Sequence, residues 1–350
     1  MAVSMDILDF LSNETYRDYF REIPGKPYVG EELFPNSEKI DDLKVSYIVG
    51  ADNRPVVAKL SAYDAEPETG NRDRVDKATI ELFKIQKQYR MDEKELRVFL
   101  NDSSLDAKKI AAKKLFDDGK MVYNDIRATV QLMRMQLLTD GSLNFPLFDP
   151  IGNNKAVVDY QVPSANKLAL STFSKPWSDP DADIIKDIQD MCEKTDEVPE
   201  VAMTSKRVLS YILRNKKIQA AFPFVQNPSL YLTLEQVNGL LGSLSLPILH
   251  VNEDKYRVRN SKNKAELKRF FPENKLVLYP SGPLGEMMYA ITAEELVLRR
   301  EGAEYDDNDN IIVYVERGAN GIVNMYTKGC TIAAPTFPRA NDVVQAVVIA

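Results

Sequence analysis

The chain is poor in the side chains on which most enzyme chemistry depends, with one histidine, two cysteines and one tryptophan in 350 residues. The histidine, His250, lies in an apolar, strand-like run after Pro247 with no serine or cysteine nucleophile motif beside it, so it reads as a structural residue rather than a general base. Cys192, in an expected helix, and Cys330, in an expected strand, lack metal-ligand spacing and read as buried free thiols. Long apolar runs are missing too: nothing approaches the roughly 20 residues needed to span a bilayer. The opening Met1 to Asp6 has neither the basic flank nor the apolar centre of a secretory signal, and synthesis in a cytoplasm is expected. No internal repeat or low-complexity tract is present.

Motifs that imitate binding sites fail in detail. Asp179, Asp181 and Asp183 alternate like calcium ligands, as do Asp306, Asn308 and Asn310, but neither set has the glycine at the sixth place and glutamate at the twelfth that the calcium loop needs. Helix capping and turn formation account for both. The segment from Pro280 to Gly285 is glycine-rich without a Lys-Ser/Thr ending, which fits a loop joining two domains better than a phosphate cradle. No catalytic residue, metal site or cofactor is expected.

What the chain does have is bulk and one long helix. A hydrophobic content of 44% and a charged content of 28% are those of a globular protein, and the length suggests two domains or one with large excursions. A net charge of -7 argues against a dedicated nucleic-acid binder. From Ser103, with Asp106 three residues on as a capping pair, to Asp140-Gly141 no proline intervenes, which predicts a helix of roughly 50 Å. Leu115, Val122, Ile126, Val130, Met133 and Leu137 share one face. In the second half Met121, Ala128, Leu132, Met135 and Leu138 add an opposite apolar side, leaving mainly Arg127, Gln131, Arg134 and Gln136 as polar interruptions. That end is expected to pack on two sides, either inside a large monomer or between its own sheet and a neighbouring subunit.

Around this helix the chain alternates in character. Residues 1–41 read as an extended arm that lies on something else. Strands are expected over 44–49, 56–60 and 79–89, with a polar excursion over 61–78 of mixed charge, either disordered or a loop that contacts a protein partner. Strands at 143–148 and 156–161 follow the helix. Short strands and helices then alternate through an α/β unit over about 181–290, with an acidic-capped helix at 181–194, a helix capped by Thr204 reaching about Gln219, and a helix capped by Thr233. Lys255, Arg257, Arg259, Lys262, Lys264, Lys268 and Arg269 form one basic cluster, read as an exposed loop and helix. The remainder is β-rich, with Glu294 to Arg300 leading to the acidic turn 306–310, an Asn320-Gly321 hairpin, and an apolar strand over 343–350 packed inside the α/β unit.

The order of parts resembles the major capsid proteins of tailed double-stranded DNA bacteriophages, the phage lambda head-protein type in particular. Phe270-Phe271-Pro-Glu-Asn-Lys-Leu-Val-Leu278 followed by a glycine-containing loop, Asn310 to Thr327 leading into Cys330-Thr-Ile-Ala-Ala-Pro335, and Asp342-Val-Val-Gln-Ala-Val-Val348 carry the likeness. The resemblance implies an α+β fold with a long spine helix: an N-terminal arm (1–41), an extended β loop (42–91), a peripheral domain (92–176 with 291–340) and an axial domain (177–290 with 341–350). It implies a structural, non-enzymatic subunit that forms hexamers and pentamers around DNA, with scaffolding, portal and decoration proteins as further partners and no membrane. Glu66, Glu68, Arg72 and Arg74 of the loop, with Arg127 and Arg134 of the helix, are the expected intersubunit contacts. No lysine–asparagine cross-link is expected, although Lys77 and Asn71 lie in the loop, and the lack of a long helical propeptide before the arm suggests separate scaffolding or none. The alternatives are a soluble enzyme binding a ligand in the α/β unit and another ring-forming phage morphogenesis protein.

Overall fold

In the computed structural model, the residues described are 27–49, 76–100, 105–146, 155–222, 232–259, 264–301, 306–317 and 325–350. From the amino end these form α1 (Val29–Leu33), β1 (Asn36–Ile40), β2 (Lys44–Val49), β3 (Asp76–Glu81), β4 (Phe83–Met91), α2 (Glu93–Leu100), α3 (Leu105–Asp140), β5 (Ser142–Pro146), β6 (Lys155–Asp159) and β7 (Lys167–Leu168). The middle holds α4 (Ile184–Cys192), β8 (Val201–Thr204), α5 (Lys206–Ile212), α6 (Lys216–Ala220), α7 (Leu234–Ser243), β9 (Ile248–Val251), β10 (Lys255–Arg259), β11 (Ala265–Arg269) and β12 (Lys275–Tyr279). Closing the chain are β13 (Met287–Ala290), α8 (Ala293–Glu301), β14 (Asp306–Asn308), β15 (Ile311–Arg317), β16 (Met325–Pro335) and β17 (Val344–Val347).

The spine helix α3 is 36 residues long, and it stops where glycine allows it to. Gly141 adopts φ +64° and its N–H donates to Leu137 O at 2.9 Å, closing the last turn. Val122, Ile126, Val130, Met133 and Leu137 are buried as the periodicity predicts. On the other side Met135 and Leu138 are buried but Met121 is exposed, so two-sided packing is confined to the later turns. The Ser103 cap and the side chain of Leu115 lie outside the described residues.

The spine lies on a six-stranded sheet, in the order β1-β13-β16-β15-β14, with β4 paired to the other edge of β16. The β4–β16 ladder runs from Met91↔Met325 to Phe83↔Ala333. Gly329 in β16 lets the helix approach: a Cβ there would overlap Val122 Cγ1 and lie 3.0 Å from Ile126 Cδ1. The strand expected over 79–89 is two strands. β3 pairs with β2, and the chain breaks at Leu82 before β4 enters the main sheet. The strand expected at 56–60, the polar excursion as far as residue 75 and the Asn320-Gly321 turn lie outside the described residues.

The second sheet has five strands, β7-β17-β12-β8-β9, with β12 antiparallel to both neighbours. Its pleat divides two cores. Ala202, Leu276, Leu278, Val344 and Ala346 face Trp177 and the helices α4 to α7, whereas Met203, Val277 and Tyr279 share a cluster with Val130, Met133, Leu137 and Leu138 of the spine. The final strand is buried inside this unit, as expected. At the joint, Gln345 Nε2 donates to Leu137 O and Leu138 O at 3.3 and 2.8 Å, and Lys275 Nζ donates to Thr139 O at 2.9 Å. These donors satisfy carbonyls that a helix end leaves without partners, and the lysine also suits the negative end of the helix dipole.

Several local expectations are corrected. The helix expected from Thr204 to Gln219 is two helices: Ser205 caps α5 by accepting from Val208 N at 3.2 Å, and Asn215 opens α6. Glu294 to Arg300 is helix α8, because Thr292 Oγ1 accepts from Glu295 N at 3.1 Å and opens a turn with acidic residues at its start. The basic stretch 255–269 is an antiparallel hairpin rather than loop and helix. Cys192 is half-buried rather than buried as expected, Cys330 is buried, and His250 is exposed on β9. Asp179 accepts from Asp181 N at 2.8 Å and Asp183 from Lys186 N at 3.4 Å, which are turn and capping roles. Asp309 and Asn310, both at positive φ, make the tight β14–β15 turn.

Candidate assembly site: the arm clasp and the exposed hairpins

The arm is fastened to the middle of the spine by a buried group of charges. Glu31 of α1 accepts from Arg127 Nη2 at 2.5 Å and lies 3.8 Å from Arg134 Nη1. Arg134, 2% exposed, also donates to Asn36 Oδ1 at the start of β1, and Tyr289 donates to the same oxygen at 3.0 Å. Arg127 lies beneath the rings of Tyr28 and Tyr123, 5.5 and 5.8 Å from their centroids, a cation–π arrangement. From the opposite side the β14–β15 turn closes the group: Tyr123 donates to Asp309 Oδ2 at 2.6 Å, and Arg127 Nε lies 3.6 Å from that carboxylate. Asn310 Nδ2 reaches Ser37 O at 3.0 Å.

The electrostatics of this clasp follow from burial and charge. Burial opposes the Arg127 charge, but the Glu31 carboxylate bonded to it outweighs that and raises its pKa above the usual value. Arg134 is deeper and less well paired, so burial lowers its pKa. Burial raises the Tyr123 hydroxyl, and its bond to ionised Asp309 raises it further. Between the two arginines Gln131 is fully buried, and neither its Nε2 nor its Oε1 finds a partner among the described residues. Gly30 packs directly on this amide; a Cβ there would overlap Gln131 Oε1. Within the chain, Arg127 and Arg134 contact Glu31 and Asn36 in residues 28–37. Sequence periodicity marked them as polar interruptions of an apolar face, and only the arm's path reveals their partners. Glu66, Glu68, Arg72 and Arg74 lie outside the described residues.

Outside the clasp, three antiparallel hairpins carry exposed faces. β2–β3 pairs the segments 44–49 and 76–81, with Ile48 exposed. β5–β6 follows the spine, with Val157 exposed. β10–β11 leaves the second sheet, with Leu267 exposed beside Lys255 and Arg257. The Pro280–Gly285 loop joins the two sheets, as expected: Leu284 N donates to Leu33 O at 2.8 Å, and Arg339 Nη1 donates to Ser281 O and Pro283 O, both at 3.2 Å. No helix among the described residues is long and apolar enough to cross a membrane.

Comparison with known proteins places this arrangement. The family model for phage major capsid protein E matches residues 18–305. Among solved structures, the chain is similar to a protein assigned as the capsid protein of a prophage in E. coli CFT073, at 16% identity and TM-score 0.60, over 97% of this chain and 98% of that one. It is also similar to a phage-related protein from Bordetella bronchiseptica RB50, at 11% identity and TM-score 0.53, over 95% and 96% of the two chains. No curated protein sequence matches. At these identities the structural likeness speaks for the fold, the α+β fold of tailed-phage major capsid proteins, and the family match speaks for the role. The chain belongs to the phage major capsid protein E family and is a structural subunit of a bacteriophage head.

Proposed function

We propose that the chain assembles with copies of itself into hexamers and pentamers that close into a head around double-stranded DNA, within the bacterial host cytoplasm, and that it catalyses no reaction. The observation that carries this reading is the match of the capsid family over 18–305. Many modest contacts, each repeated in every copy, suffice for a closed shell, because multivalency turns weak interfaces into a stable whole. The alternative readings, a ligand-binding enzyme and another ring-forming morphogenesis protein, draw no support from the family match.

Within that reading the domains divide the work. Residues 92–176 with 291–340 form the peripheral domain and residues 177–290 with 341–350 the axial domain, gathered about five-fold and six-fold axes; the buried cluster around Trp177, whose members apart from Leu168 all come from the axial residues, supports this division. Residues 1–41 are the arm. Residues 42–91 are the extended loop that overlaps the next subunit, with Glu66, Glu68, Arg72 and Arg74 at the contact. Arg127 and Arg134 of the spine are the remaining intersubunit contacts. Scaffolding, portal and decoration proteins, and packaged DNA held by non-specific contact, are the remaining partners.

Negative-stain microscopy of the purified chain tests the proposal: rings or closed shells are expected, and a compact monomer under all assembly conditions would refute it. The double substitution Arg72→Glu with Arg74→Glu is expected to impair assembly while the monomer's thermal unfolding stays unchanged. Normal particles from that variant would remove the loop from the contact.

A further inference from the structure

The β10–β11 hairpin presents a face that its own chain leaves uncovered. Tyr256 turns inward, stacking on Phe270 at 4.8 Å between centroids, and Val258 shares that side by register. The opposite side carries Lys255, Arg257 and Leu267, with Arg257 directly across from Leu267. Leu267 is 65% exposed, and neither Lys255 nor Arg257 forms an ion pair among the described residues. The base of the hairpin is fixed: Arg269 bonds Glu253 and Glu273, and Glu253 Oε1 accepts from Lys206 N at 2.8 Å. The face is thus anchored at its base, with exposed Leu267 flanked by the cations of β10.

A second surface is its converse. The segment from the end of α4 to the start of β8 carries Asp190, Glu193, Asp196, Glu197 and Glu200, all exposed, against the single cation Lys194. In their midst Val198 is 68% exposed. Glu197 is engaged by Arg339, whereas Asp190, Glu193 and Glu200 form no ion pair among the described residues. The carboxyl end of α4 points here and adds its own negative potential.

The two surfaces leave one strand pair at opposite ends. β8 and β9 are parallel, with Val201 beside Ile248 and Thr204 beside Val251. The acidic ridge leads into the amino ends of this pair and the hairpin leaves near its carboxyl ends, roughly 10 Å further on at about 3.3 Å per residue. Complementary patches at the two ends of one strand pair suit a head-to-tail contact, the kind that closes into rings. The β9 edge between them is blocked against strand addition, because Asn238 accepts from Leu249 N at 2.9 Å and donates to Leu249 O at 3.1 Å. Side-chain complementarity is what remains for pairing there.

We propose that the Lys255, Arg257 and Leu267 face of one subunit docks on the Val198 ridge of a second copy, with Glu193 and Glu200 opposite the cations and Val198 against Leu267. The contact rests on the shell-subunit reading and specifies the axial interface within it. A particle-forming preparation carrying Leu267→Cys and Val198→Cys in a Cys192→Ser background is oxidised and run on a non-reducing gel. A covalent ladder up to ring size is expected from the paired variant, and monomer from each single-cysteine control.

Independently, Lys255→Glu with Arg257→Glu is expected to lower the yield of closed particles about tenfold or more, as like charges juxtaposed at an interface do. The monomer's melting temperature should hold, and Glu193→Lys with Glu200→Lys added to the same chain should restore the yield. Intact particles without a ladder, or normal particles from the charge-reversed chain, would overturn this contact and leave the shell reading standing. Normal particles that merely lose retained DNA would assign the hairpin to nucleic acid instead. An unsubstituted chain that forms no multimer would defeat both.

Discussion

The two halves of the molecule satisfy buried polarity in different ways. On the helical side of the second sheet, polar groups sit at helix starts and are fully used: buried Asn215 donates to Ala182 O at 2.8 Å and accepts from Lys217 N and Ile218 N at 3.0 and 3.1 Å. Around the spine, charges are buried in mid-helix and incompletely met, with both Gln131 amide atoms and Arg134 Nε lacking partners among the described residues. The first half is assembled from one stretch of chain plus β17, the second from pieces as distant as Leu33, Ile80, Val130, Met287 and Ile332. A half that must gather remote segments spends interior space on polar groups that choose the arm's path. A contiguous half needs only to cap its helices. Incomplete satisfaction in the interior costs stability, and it is tolerated where a specific partner must be recognised.

Substitutions can break this contrast. The largest effect is expected at Trp177, which is buried in the contiguous half with its Nε1 donating to Asp187 Oδ2 at 2.8 Å. Trp177→Ala should cost roughly 3–5 kcal/mol in chemical denaturation. Next come two amides treated alike. Asn215→Leu leaves two N–H groups and a carbonyl without partners and should destabilise by about 2–3 kcal/mol, whereas Gln131→Leu removes two unmet polar atoms and should stabilise by about 1 kcal/mol. Equal signs for this pair would dissolve the distinction between the halves. Gly329→Ala drives a methyl group into Val122 where the spine rests on β16, so about 1–3 kcal/mol of overpacking is expected, together with a lowered melting temperature.

Legibility followed the same division. The spine, its glycine stop and its buried stripe could be read from spacing, as could the Asp183 and Thr233 caps, because these depend on residues a turn or so apart. Adjacent candidates were harder to separate: Thr204 and Ser205 both suit a cap, but Thr204 is the last residue of β8, paired with Val251, and Ser205 just beyond the strand takes the role. Glu294 to Arg300 misled because Leu296, Val297 and Leu298 are strand-compatible, although Thr292 with Glu295 three residues on is a capping pair that marks a helix start. The basic stretch misled because charge says nothing about backbone, while the alternation of Tyr256 and Val258 with cations, a period of two, was the available signal. The clasp was illegible, since Glu31, Asn36, Arg127 and Asp309 are brought together only by tertiary structure.

The smallest effect concerns pH, and it touches both halves through their one cysteine each. Burial pushes the thiols of Cys192 and Cys330 from 9.0 up to about 11. A thiol whose folded pKa is raised binds its proton more tightly in the fold than in the unfolded chain. Its contribution to stability is therefore complete below about pH 9 and is lost as pH rises through about 11. Tyr47 and Tyr289, pushed by burial to about 12, act in the same direction. Melting temperature should thus decline above pH 9, and Cys192→Ala with Cys330→Ala should soften the start of that decline without abolishing it. Iodoacetamide provides the sharper measurement, because only the thiolate reacts. At pH 8 half-buried Cys192 should be alkylated slowly and buried Cys330 more slowly still; rapid labelling of Cys330 in chain that remains folded would show that the β16 ladder opens far more readily than its nine-residue pairing with β4 implies.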